Sequence, residues 1–274
     1  MKRFKKIENA TAVTWKMLPV SLPINKPLES DTMHSDLDET RALARSLDGW
    51  LHGSEGELLY ETAKNCSGRG VIVEIGSWKG KSTSWIGRGS KQGKHTRVFA
   101  VDPHTGSNEH QSGSKVWTFE EFKQNIKTTG VEDIVIPLVK TSEEAAKEFT
   151  ELVEFVFIDG AHEYEFVKQD FDLWFPKVID HGIMAFHDTI RWAGPKTVVE
   201  ENVARSNHFK NLKFVHSITI AQKVLQNSRL DRIRNRYVIF LKNLYEMVHN
   251  QNPPKVFRRF FIRLFSFLQS IAFS

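Results

Sequence analysis

Acidic residues and histidines at the ends of short apolar runs carry the chemistry legible in this chain: Glu74, Asp102, the run Asp159-Gly160-Ala161-His162, and the pair His187-Asp188. Around the first of them, Val71 to Thr83 reads Val-Ile-Val-Glu-Ile-Gly-Ser-Trp-Lys-Gly-Lys-Ser-Thr. Gly76 and Gly80 frame a tight turn, and Ser82 and Thr83 read as the first turn of a helix. Glycines let the backbone come close to a ligand, and a helix start offers free N–H groups. The gap between the glycines is too short for a phosphate loop, and Ser77 and Trp78 exclude Gly-x-Gly-x-x-Gly. Glu-x-Gly-x-x-x-Gly suits a ligand with a positive charge near the turn. Asp102, some twenty residues past the glycines, stands where a bidentate carboxylate would hold a ribose diol. Together these features describe a nucleoside-type cofactor.

The elements that must position these residues follow from hydrophobic patterning. Apolar runs from Val71, over Arg97–Val101, Ile134–Val139, Phe155–Ile158, Ile183–Phe186 and Phe214–Ile220 read as strands. Helices are expected over Thr40–Leu51, Glu55–Asn65, Ser82–Gly89, Phe119–Thr128, Ser142–Phe149 with Ser142 as N-cap, Tyr164–Trp174 and Lys196–Ala204. Strands alternating with helices imply crossovers and a parallel α/β sheet. Ligands of such sheets bind beyond the carboxyl ends of the strands, where all the residues above fall. Each has a plainer reading alone: a strand-to-helix turn, a capping Asp102, an Asx turn at Asp159, a surface His162, a His187 that orients Asp188. Their coincidence favours a site.

Glu74-Ile75-Gly76-Ser77 through Gly80, with Asp102, resembles the cofactor half of class I S-adenosylmethionine-dependent methyltransferases. Ile158-Asp159-Gly160-Ala161-His162-Glu163-Tyr164 with Phe186-His187-Asp188 resembles the small-molecule O-methyltransferases related to macrocin and macrolide-sugar O-methyltransferases, with which bacterial glycan methyltransferases group. The resemblance spans about residues 55 to 220. It implies a Rossmann-like, doubly wound, mostly parallel sheet of about seven strands. The expected organisation is an N-terminal arm over residues 1–35, a methyltransferase domain over 36–225 and a basic helical C-terminal extension over 226–274.

The same resemblance implies roles. Glu74, Gly76, Ser77, Gly80, Ser82, Thr83 and Asp159 would line the S-adenosylmethionine site, Asp102 its ribose, and Thr141 and Ser142 its adenine. Asp159 and the pair His187-Asp188 would hold a divalent metal, Mg²⁺ or Mn²⁺, with His162 as general base. His187 stands where metal-dependent relatives carry a carboxylate, and imidazole is a poorer ligand than oxygen for Mg²⁺. An outer-shell His187, a softer ion such as Mn²⁺ and a metal-free site all stay open. The implied reaction is O-methylation of a small molecule, foremost a sugar of a glycan, glycolipid or glycosylated natural product. A catechol-like phenol acceptor, a cephalosporin hydroxylase-like reaction and a non-catalytic cofactor-binding scaffold are the alternatives.

The 274 residues, 40% hydrophobic, suit one α/β domain with extensions. The formal charge of +5 concentrates at the two ends, so a long nucleic-acid groove is not implied. One cysteine, Cys66, excludes an internal disulfide and fits a reducing, cytoplasmic setting. His104 and His110 lie on a Gly/Ser/Asn-rich loop, Thr105 to Ser114, that suits a substrate lid or a solvated loop, and Trp78 and Trp192 are candidate sugar-stacking rings. In the tail, Phe257, Phe260, Phe261, Leu264, Phe265 and Leu268 recur at helical spacing beside Arg258, Arg259 and Arg263. That helix suits packing on the domain or on a second copy in a homo-oligomer, or lying peripherally at the inner face of a membrane.

Overall fold

The computed structural model describes residues 35–106, 116–251 and 254–271. The arm expected at the N-terminus, and His110 with most of its loop, lie outside the described residues. Seven strands form one mixed sheet: β1 (Val71–Ile75), β2 (Val98–Val101), β3 (Val135–Leu138), β4 (Val153–Ile158), β5 (Val178–Phe186), β6 (Phe209–Val215) and β7 (Ile218–Lys223). Their order is β3-β2-β1-β4-β5-β7-β6. The first five are parallel, and β7 runs antiparallel to both neighbours. This is the Rossmann-like methyltransferase fold, with the switch in strand order between β1 and β4.

Helices cover both faces of the sheet. Ala44, Leu59, Trp85 and Phe122 place α1 (Asp36–Arg45), α2 (Gly53–Lys64), α3 (Lys81–Lys91) and α4 (Phe119–Thr128) on the core shared with Ile72 and Phe157. The other core takes Val73, Val156 and Met184 from the strands. It adds Ala145, Phe171, Val198, Leu241 and Phe265 from α5 (Ser142–Glu148), α6 (Tyr164–Trp174), α7 (Ala193–Val198), α8 (Arg229–Asn250) and α9 (Lys255–Ile271). The buried central strands are therefore apolar on both sides, as a covered parallel sheet requires. Two acids interrupt them, Glu74 of β1 and Glu154 of β4, and the second is structural. Glu154 of β4 accepts hydrogen bonds from the N–H groups of Ser67, Gly68 and Arg69 at 2.6, 3.0 and 3.0 Å, which fixes the turn into β1.

Local chemistry explains several boundaries that differ from the sequence expectation. Ser35 caps α1, so that helix starts earlier and ends sooner than Thr40–Leu51. Thr141, not Ser142, caps α5: its hydroxyl accepts from Glu144 N while the Glu144 carboxylate accepts from Thr141 N. The single strand expected over Phe214–Ile220 is a hairpin. Its turn falls at His216, whose φ of +52° an imidazole-bearing residue tolerates better than a branched one. The helix expected from Lys196 starts at Ala193 and passes into a π-type turn over Val199–Ala204.

Glycines set the spacing of α2 and α3. A Cβ on Gly56 would lie 2.3 Å from Trp85 Cε2, and one on Gly89 would lie 2.2 Å from the Tyr60 carbonyl oxygen. The second contact is with backbone and cannot be relieved by a rotamer change. Gly89→Ala is expected to lower stability by about 1–3 kcal/mol through overpacking, measured by urea unfolding. A wild-type midpoint would show that α2 and α3 part freely.

Candidate active site at the carboxyl edge of the sheet

The register aligns the strand ends. Ile75 pairs with Val101 and with Ile158, and Ile158 pairs with Phe186. The next residues, Asp102, Gly76, Asp159 and His187, therefore leave the sheet side by side. The site residues read from sequence thus share one edge, on the two sides of the switch point between β1 and β4.

The glycine loop is shaped by its neighbours. Gly76 has φ +85°, and a Cβ there would sit 2.1 Å from the Asp159 carbonyl oxygen, so the loops after β1 and β4 touch through a position only glycine fits. Gly80, at φ +84°, is the N-cap of α3. Asp102 binds the loop directly: Oδ2 accepts from Trp78 N at 2.7 Å and Oδ1 from His104 N at 2.6 Å. Each oxygen thus carries one backbone donor, leaving a further lone pair apiece. Thr83 donates its hydroxyl to Glu74 Oε2. Glu74 Oε1 and Ser77 Oγ are buried with no hydrogen-bond partner. Burial, against the nearby Ser82 and Thr83 hydroxyls and with the repulsion of Asp159 and Asp102, pushes the Glu74 carboxyl up to about 8. Thr141 and Ser142 sit at the start of α5. Thr141 is occupied by its capping box, and Ser142 Oγ accepts from Trp174 Nε1 at 2.9 Å.

Across the switch point, His187 is buried among carboxylates. Its Nδ1 lies 3.0 Å from both Asp159 Oδ1 and Asp188 Oδ2, and its Nε2 lies 3.4 Å from Glu55 Oε2. Burial alone would lower its pKa, but Asp159, Asp188 and Glu55 outweigh burial and raise it well above the ordinary value. The Asp188 carboxyl, raised by burial but bound to His162 and His187, is held far below the usual range. Burial pushes Asp159 upward, only partly offset by His187. His162 Nε2 lies 3.0 Å from Asp188 Oδ2, and its ring stacks on Trp192 with centroids 4.3 Å apart. One ligand atom each from Asp159, His162 and Asp188 falls within 4.8 Å of the others, which makes these three the group of the described residues able to share a metal ion. His187 stands outside that group, turned onto the same carboxylates.

Glu55 is the residue that sequence reasoning did not find. It lies on α2, 2% exposed, and accepts from His52 N at 2.7 Å, Ser217 N at 2.8 Å and Ser217 Oγ at 2.5 Å, with His216 Nδ1 at 3.1 Å. Burial would raise its carboxyl, and His187 and His216 together drive it far below the usual range. The available signal was its place three residues after His52, a capping-box spacing, which speaks only of the helix. Beside His162 lies an open cleft of about 650 Å³, walled by Trp192, Tyr164, Thr197 and the carboxylates of Glu163, Glu165 and Glu201.

Residues 73–189 match a family described as a methyltransferase domain. Among solved structures, the O-methyltransferase NovP superposes with a TM-score of 0.54 at 18% identity, over 68% of this chain and 88% of that one. The O-methyltransferase TomG from Streptomyces achromogenes, involved in tomaymycin synthesis and solved with SAM, gives 0.50 at 17% identity, over 72% and 91%. The SAH-bound Podospora anserina methyltransferase PaMTH1 gives 0.52 at 14% identity, over 69% and 88%. These likenesses establish the fold.

The raised Glu74 carboxyl has a consequence for stability. A carboxyl whose folded pKa of about 8 exceeds its ordinary 4.5 stabilises the fold while protonated, and that contribution is lost as pH rises through this interval. Glu74→Gln is therefore expected to flatten the fall in unfolding free energy of the ligand-free protein between about pH 5 and pH 8, read by denaturant titration. An unchanged slope would place the charge elsewhere.

Proposed function

We propose that the protein is an S-adenosylmethionine-dependent O-methyltransferase that acts on a sugar hydroxyl of a glycan, glycolipid or glycosylated natural product. The observation that carries this reading is the contact of Gly76 with the Asp159 carbonyl. It sets the cofactor cradle against the loop that bears His162. The residues suit the cofactor: the unpartnered Glu74 Oε1 and Ser77 Oγ beside a glycine turn fit an ammonium-bearing amino-acid moiety, and Asp102 retains lone pairs for a ribose diol. When bound, S-adenosylmethionine supplies an electrophilic methyl group on a sulfonium.

This chain's own residues then have to prepare the nucleophile. A sugar hydroxyl holds its proton tightly, so a base must take it as the oxygen attacks. With Nε2–H donating to Asp188, the neutral His162 imidazole carries its lone pair on Nδ1. Asp188 also stabilises the imidazolium that forms. Trp192, 41% exposed and stacked on that ring, offers an aromatic face beside carboxylates that accept hydroxyl hydrogens, a lining suited to a polyhydroxyl ring. In a metal-assisted version Asp159, His162 and Asp188 would hold the ion, and His162, bound to it, would no longer serve as the base. A divalent ion there would stabilise the developing alkoxide.

Calorimetry with S-adenosylmethionine is expected to show binding, and labelled cofactor should add a methyl increment to candidate glycans by mass spectrometry. His162→Ala should leave cofactor affinity unchanged and cut turnover about 10²–10⁴-fold. Absence of binding at high micromolar cofactor would defeat the methyltransferase reading, and full activity of the variant would defeat the role of His162. Loss of turnover in EDTA, restored by Mg²⁺ or Mn²⁺, would select the metal-assisted version.

A further inference from the structure

The C-terminal helix α9 has two apolar faces, and the domain uses only one of them. On the first, Phe265 is buried, its ring 5.6 Å from Tyr245 and 6.5 Å from Phe214. Gln269 completes the edge strand β6: its Oε1 accepts from Phe214 N at 2.8 Å and its Nε2 donates to Phe214 O at 3.2 Å. The helix is therefore anchored on the sheet through side chain and backbone alike. The second face is the stripe Phe257, Phe260, Leu264, Phe267 and Ile271, spaced alternately three and four residues apart. Phe257, Phe260, Phe267 and Ile271 are each more than half exposed, at 58, 58, 62 and 52%. α8 repeats the arrangement with exposed Leu230, Ile233, Phe240 and Met247.

Charge decides what can cover this stripe. From Arg229 to Ile271 the sequence carries nine lysines and arginines against two acids, whereas the whole chain is only +5. Both acids are engaged. Asp231 closes the capping box of α8 with Ser228, and Glu246 accepts from Lys196 Nζ at 2.6 Å. α9 itself has Lys255, Arg258, Arg259 and Arg263 and no acid. Helical spacing sets position 263 beside the stripe, three residues after Phe260 and four before Phe267. Pairing the stripes of two copies face to face would bring together two helices that each carry four basic residues and no acid. An anionic lipid surface supplies both the apolar layer and the countercharge. No helix among the described residues is long and apolar enough to cross a membrane, so the fit is to the interface plane.

We propose that α9 is an interfacial anchor: its Phe265–Gln269 face stays docked on the sheet while Phe257, Phe260, Phe267 and Ile271 enter an anionic phospholipid surface. This goes beyond the proposed methyl transfer and does not depend on it. The test is co-sedimentation of the full chain with phosphatidylglycerol–phosphatidylcholine vesicles and with phosphatidylcholine vesicles alone. Pelleting is expected with the anionic vesicles only, and should be lost at about 1 M salt, where screening is nearly complete. A Phe260→Ser/Phe267→Ser variant, altered only at exposed positions and checked by thermal melting, should lose pelleting. Arg258→Gln, Arg259→Gln and Arg263→Gln should each weaken partitioning about fivefold. Equal binding to phosphatidylcholine alone, or wild-type pelleting by these variants, would overturn the anchor. So would a dimer by light scattering that the Phe260→Ser/Phe267→Ser variant abolishes, without vesicle binding; that result would give the stripe to a second copy.

Discussion

Glu55, Asp159 and Asp188 converge on one buried imidazole, and the edge of the sheet is built around that convergence. Carboxylates taken from water cost several kcal/mol each unless a countercharge and directed hydrogen bonds replace the lost hydration. His187 supplies the charge, with Asp159 and Asp188 near one ring nitrogen and Glu55 facing the other. Burial would discharge both His187 and Glu55, but Asp159, Asp188 and Glu55 outweigh it at the imidazole, and His187 and His216 outweigh it at Glu55. The other oxygen of Glu55, Oε1, draws in Ser217 and His216, so the β6–β7 hairpin is tied to α2 through one carboxylate. The residues that would handle a proton therefore rest on carboxylates that share a buried imidazolium, not on an isolated acidic patch.

That arrangement also reaches beyond the stretch that carries the family likeness. The match runs over residues 73–189, whereas Glu55 precedes it and His216 and Ser217 follow it. The shared portion supplies the glycine turn, Asp102, Asp159, His162 and the His187-Asp188 pair. The flanking portion supplies the groups that decide how His187 is charged and oriented. Glu55 accounts for how an imidazole is accommodated at position 187: it gives the ring a second acceptor, away from the carboxylates facing Nδ1.

How much of this was legible depended on how far apart in sequence each interaction lies. The central strands and the helices Phe119–Thr128 and Tyr164–Trp174 were readable because each carries its own periodicity and boundaries. The gathering of Asp102, Asp159 and His187 at one edge followed from parallel topology alone. Glu55 was invisible because its partner His187 is 132 residues away and nothing local marks the pairing. The β6–β7 turn was missed because His216 is not a turn former and Ser217 is one of the weaker turn residues, with no glycine, proline or asparagine beside it. Thr141 displaced Ser142 as the cap because a capping box needs Glu144 three residues on, which only Thr141 satisfies.

The position of His162 shows how sequence adjacency can mislead about geometry. His187 and Asp188 are neighbours, and in an extended chain their side chains would point to opposite faces. Here β5 ends at Phe186, and Asp188 takes φ +55°, a left-handed conformation that aspartate adopts more readily than most residues. That single reversal swings the Asp188 carboxylate back, so that Oδ2 meets both His187 Nδ1 and His162 Nε2 at 3.0 Å. Trp192, a few residues on, closes over the His162 ring, and Gly194 lets α7 approach the His162 carbonyl so closely that a Cβ would fall 2.1 Å from it. Ring plane, hydrogen-bond partner and backbone of His162 are thus all set by the turn after β5. An aspartate is needed at position 188 for its backbone tolerance as well as for its charge, and asparagine, which shares the tolerance without the charge, would preserve the turn while removing the anion that stabilises a protonated His162.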